Sequence, residues 1–143
     1  MEFLLYLSPI GKDIYSLVSQ KVKVVENAPI CRKHDAYGWF DAPKRTMIFC
    51  TDTIKKGPNP EYYINETLFH ESVHVSQSCK NNMGWVAPLW ISPSLMPINQ
   101  RRKTDIETAK RIVGNEVQQI EHEAFWMEDK PEKVKYVLRK YCF

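Results

Sequence analysis

Long hydrophobic runs, closely spaced cysteine pairs and a strong charge of either sign are all missing from this chain of 143 residues. No apolar stretch approaches the ~20 residues that a membrane-spanning helix needs. The opening MEFLLYL is apolar but short. It has no cationic leader and is stopped by Ser8 and Pro9, so it lacks the form of a signal peptide. Cys31, Cys50, Cys79 and Cys142 make no CxxC pair, which argues against a cysteine-based zinc knuckle. A net charge of +3 is too small to suggest a nucleic-acid partner, and the one basic cluster, Gln100 to Lys103, reads as a solvated face. Internal repeats and low-complexity tracts are absent as well. These absences leave one domain spanning residues 1–143, soluble, and expected in the cytoplasm rather than secreted. Cysteine usage alone does not fix the redox compartment.

What is present is a readable order of elements. Ser8 and Pro9 form a helix start, a hydroxyl cap followed by proline at the first helical position, and a helix to about Gln20 follows. Val22 to Val25 is a β-branched strand signal, and Ala36 to Phe40 and Thr46 to Thr51 suit a hairpin. Asn59 and Pro60 predict the start of a helix running to about Cys79. An irregular stretch, Lys80 to about Pro97, comes next, and long connections of this kind are often functional. A long helix then runs to Glu128, bent near Gly114 and Asn115, and Pro131 opens a last short helix. The class is α+β: a small antiparallel sheet packed on helices.

The stretch His70-Glu71-Ser72-Val73-His74 lies in the predicted helix that starts at Pro60. Zinc favours neutral imidazole nitrogens that converge on one point about 2 Å away. Residues four apart on a helix share a face, so the two histidines project together if the segment is helical. Glu71 then stands beside the metal, where a carboxylate can take a proton from an activated water. A catalytic zinc wants a third protein ligand and an open fourth position. The metzincin pattern HExxHxxGxxH fails, with Gln77 at the glycine position and Lys80 at the last histidine. On the long helix, Glu121-His122-Glu123-Ala124 offers several candidates, His122 among them, and a glutamate is the common solution.

The pair HESVH and Glu123-Ala124-Phe125 resembles the gluzincin group of zinc metallopeptidases, whose type member is thermolysin. The resemblance covers roughly Ala36 to Glu128. It implies a zincin-like fold, a small sheet packed on an HExxH helix and a second, glutamate-bearing helix. It implies Zn2+ held by His70, His74 and Glu123, with Glu71 as catalytic base and a protein or peptide as substrate. Glu116 and Glu121 are the alternatives for the third ligand. The pattern departs at Met127, where thermolysin-like enzymes carry an aspartate that orients a histidine. Asp129, Glu128, Glu121 or Glu116 are candidates for that orienting role. The family also uses the edge strand of the sheet to hold extended peptide, which suggests Gly38 and Trp39 as substrate-binding residues. Tyr136, Arg139 and Tyr141 are candidates for oxyanion stabilisation, against ordinary surface and packing roles.

The remaining residues leave alternatives. Cys79 and Cys142 either bridge the last helix to the motif helix or stay as buried thiols, and Cys31 and Cys50 pose the same choice across the sheet. Cys50 as a metal ligand would resemble peptide deformylase, but the sequence context of that enzyme is missing. His34 reads as a surface residue. Asn65-Glu66-Thr67 matches a glycosylation sequon, yet falls within a helix. Trp39, Trp85 and Trp90 suit either an apolar groove or loop packing. Against hydrolysis stands a module that keeps a zinc site as a structural staple.

Overall fold

The computed structural model describes residues 1–114 and 117–143. A 3-10 turn (Glu2–Tyr6) leads into helix α1 (Pro9–Val18), where the Ser8 side chain accepts a hydrogen bond from the Gly11 amide. Strand β1 (Lys23–Glu26), the short helix α2 (Ile30–Lys33), strands β2 (Gly38–Asp41) and β3 (Thr46–Phe49), and helix α3 (Thr51–Lys56) complete the first half. Helix α4 (Pro60–Lys80) is the axis of the molecule. After it come the connection 81–99, helix α5 (Gln100–Val113), helix α6 (Gln118–Met127) and helix α7 (Pro131–Cys142).

Helix α4 is buried on most of its sides, which is why its sequence shows no single apolar stripe. Helices α1, α6 and α7, strand β2 and helix α3 all pack on it. Ile64, Leu68, Val73 and Val75 of α4 meet Phe3, Ile14, Phe49, Met127 and Leu138 in the core. Asn59 precedes the helix in the left-handed conformation (φ 50°) and makes no side-chain cap bond, although Pro60 opens the helix as expected. The expected long helix is two helices, because Gly114 (φ 103°) leaves helical geometry after Val113.

The class is α+β, but the sheet is mixed, not purely antiparallel. Its strand order is β1-β3-β2, with β1 parallel and β2 antiparallel to β3. Strand β1 pairs with β3 because the 27–37 segment, carrying α2, crosses the end of the sheet and delivers β2 to the far edge. Two disulfides close the fold, Cys31–Cys50 and Cys79–Cys142. The first ties α2 to the end of β3, and the second ties the last residue of α7 to the last turn of α4. Among the described residues no helix is long and apolar enough to cross a membrane.

Candidate metal centre

Helix α4 carries His70 and His74 on one face, with ring centroids 5.0 Å apart. Helix α6 packs against that face, and the side chain that reaches both imidazoles is Glu121. Its Oε2 lies 3.2 Å from His70 Nε2, and its Oε1 lies 3.1 Å from His74 Nε2. The ligand-type atoms of these three residues fall within 4.8 Å of one another, the one such group among the described residues. A tetrahedral zinc with bonds of about 2 Å spaces its donors about 3.3 Å apart, so the donor types suit that ion and each imidazole stands at such a spacing from one of the two Glu121 oxygens.

Glu123, the glutamate favoured by the family resemblance, is not in this group. Two residues along a helix turn a side chain to nearly the opposite side, so Glu121 and Glu123 cannot both face the imidazoles. Glu123 is fully buried (0% exposed) and its carboxylate is filled. It accepts hydrogen bonds from the Leu89 amide (2.8 Å), the Ile91 amide (3.1 Å), Gln77 Nε2 (2.9 Å) and Gln119 Nε2 (3.0 Å). Glu116 lies outside the described residues. His122 is turned to the Met96 carbonyl oxygen, 2.8 Å from its Nε2. Cys50 is committed to a disulfide.

The outer nitrogens of both histidines face groups that can orient them. His74 Nδ1 lies 2.7 Å from Gln77 Oε1, and His70 Nδ1 lies 3.7 Å from Glu128 Oε1. Glu128 stands two turns beyond Glu121 on the same side of α6. This seven-residue spacing is the sequence signal that places both carboxylates on the side of the helix facing the histidines. Glu128 is 4% exposed and faces Arg102 Nε at 3.6 Å. Arg101 and Arg102 both reach Glu66 on α4, at 3.1 and 3.3 Å. Arg102 is therefore buried, contrary to the solvated basic face expected for 100–103, because it neutralises two carboxylates beside the site.

The electrostatics follow from this crowding. Burial opposes charge on both histidines, but Glu121 outweighs it; Glu128 adds to the effect at His70, whose pKa sits well above the ordinary value, and His74 is raised too. Burial likewise works against ionised Glu121, yet His74 and His70 hold its carboxyl far below the usual carboxylate range. Glu71 is raised by burial, with the two histidines partly offsetting the shift.

His70, Glu71, His74 and Glu121 line a cleft of about 1250 Å³. Strand β2 forms one wall, and α5 and Trp85 contribute to the others. The Cys50 amide donates to Tyr37 O (2.9 Å), so by antiparallel alternation Trp39 and Asp41 bond to β3, and Gly38 and Phe40 turn their backbone groups to the open edge. Gly38 has a packing reason to be glycine: a Cβ there would lie 2.5 Å from Thr67 Cγ2 and 3.3 Å from Glu71 Cγ. Trp39 lines the cleft and stacks on exposed His34, 6.1 Å away. Trp90 points to solvent outside the cleft, and Tyr136, Arg139 and Tyr141 on α7 are not among its walls. The Asn65 side chain is occupied, donating to Tyr6 O and Glu61 O and accepting from the Ser8 amide.

The family model described as Domain of unknown function (DUF8637) matches residues 3–143. The chain belongs to that family. No curated protein and no solved structure matches it. The domain thus extends over essentially the whole chain.

Proposed function

We propose that this chain is a minimal zinc metallopeptidase of gluzincin type, with a zincin-like arrangement of sheet and helices. His70, His74 and Glu121 hold Zn2+, Glu71 is the general base, and the substrate is a protein or peptide. The observation that carries the reading is the convergence of two imidazoles and one carboxylate on the wall of an open cleft, directly beside a second carboxylate, Glu71.

A zinc ion held there supplies Lewis acidity toward a peptide carbonyl and toward water. Among the described residues no group donates to the Glu71 carboxylate, and burial raises its proton affinity, as suits a group that takes a proton from water and passes it to the leaving amine. The open edge of β2, with the backbone groups of Gly38 and Phe40, offers an extended peptide a strand to pair with. Room for a substrate beside the three ligands favours turnover over a structural staple, which would be closed by protein atoms. The two disulfides favour an oxidising compartment over the cytoplasm.

The test is metal analysis of wild type, His70→Ala and Glu121→Ala, followed by a peptide-library digest. Stoichiometric zinc in the wild type should be lost in both variants. Glu71→Gln should keep the zinc and lose cleavage by about 10²-fold or more. Cleavage undiminished in Glu71→Gln, or zinc retained in Glu121→Ala, would overturn the assignment.

A further inference from the structure

Glu123 is a buried carboxylate with no cation beside it among the described residues, and the mechanism above does not use it. Its four donors come from three elements: Gln77 from α4, Gln119 from α6, and the Leu89 and Ile91 amides from the 81–99 connection. Gln77 Nε2 donates to two groups that can only accept, Glu123 Oε1 (2.9 Å) and the Ile120 carbonyl (3.0 Å). Its amide orientation is therefore determined, and Oε1 must face His74 Nδ1. An acceptor at 2.7 Å requires the proton on Nδ1, so Nε2, which faces Glu121 and the cleft, is the nitrogen that can give up its proton and offer a lone pair to a metal.

We infer that Glu123, acting through Gln77, is a positioning residue that presets His74 as a metal donor and links it to the 81–99 connection; this rests on the zinc-site reading above. The carboxylate holds Gln77 in one orientation, and Gln77 holds one tautomer and one ring plane of His74. The same carboxylate anchors the connection at Leu89 and Ile91, three and five residues beyond the cleft-lining Val86. Release of that connection removes an anchor of the ring that binds the metal.

The test uses the full chain as wild type, Gln77→Met, Glu123→Gln and the double variant. Zinc dissociation constants are measured by competition with a chromophoric chelator, and imidazole ¹⁵N spectra of the zinc-loaded proteins report the His74 Nδ1 proton. Each single variant should bind zinc about 10–100-fold more weakly, the scale found for outer-shell partners of metal ligands. The double variant should be no weaker than the worse single one, because both changes break one relay. The Nδ1 proton signal should be sharp in wild type and lost to exchange in Gln77→Met, which a merely structural role would not require. If Glu123→Gln does not fold, Gln77→Met carries the test alone. Wild type that binds zinc with Gln77→Met equally tight overturns the relay only. Wild type that binds no zinc overturns the metal site itself and the relay with it.

Discussion

At the scale of single residues, the candidate centre is a compact arrangement of opposite charges when no metal is bound, and its titration predicts a pH dependence. The pKa of Glu121 is depressed in the folded state, so its contribution is complete above the ordinary carboxylate value of 4.5 and is lost as pH falls toward the depressed value. His70 and His74 are raised, so theirs is complete below 6.5 and is lost as pH rises through the raised values. Metal-free protein should therefore derive most from this cluster between pH 4.5 and 6.5 and lose the histidine part of that stability as pH rises through the raised imidazole values. Zinc displaces those protons, so the zinc-induced gain in stability should grow over the same range. Urea midpoints along a pH series upward from 5.5, with zinc and with chelator, check both slopes. A zinc increment that shrinks with rising pH would argue against imidazole ligands.

At the scale of elements, much of the architecture was legible. The capped start at Ser8, the hairpin strands, the helix opened by Pro60 and the break at Gly114 all reflect local backbone chemistry, and local chemistry is what a sequence displays directly. The two histidines were legible for the same reason, since one helix positions both. The carboxylate that faces them was not, because it depends on how α6 is rotated against α4. That rotation is set by packing of Ala124 and Met127 in the core and by the donors gathered around Glu123. Glu-Ala pointed to Glu123, whose carboxylate is held by the 81–99 connection and two glutamines, while Glu121 faces the imidazoles. Arg102 was hidden likewise, since a basic run becomes buried only where distant carboxylates await it. From the structure, Arg102→Met leaves buried Glu128 without its arginine and Glu66 with Arg101 alone, and should cost about 3–5 kcal/mol. Adding Glu66→Gln should recover part of that loss, because burial and Glu128 already raise the Glu66 pKa. Urea denaturation of the single and double variants measures both effects.

At the scale of the whole molecule, α4 is the strut to which everything else is fastened, by different means at different heights. The proposed zinc joins it to α6 at His70 and His74, and Cys79–Cys142 joins its end to α7. The bridge closes a loop across a sequence separation of 63, for which loop-closure entropy gives about 4 kcal/mol. Zinc at about 100 times its dissociation constant gives about 2.7 kcal/mol by mass action. Five residues of helix separate His74 from Cys79, about 7.5 Å of rise, and the two tethers reach different partner helices. Sites so separated contribute almost independently. Removing the bridge with Cys79→Ser and Cys142→Ser should therefore cost the same with and without zinc, within about 0.5 kcal/mol, and shift the zinc affinity by less than about threefold. Denaturant titrations of wild type and the bridgeless protein, each with zinc and with chelator, form the required cycle. A large coupling would instead mean that α7 helps set the angle between α4 and α6, making the C-terminal bridge part of the metal centre's geometry.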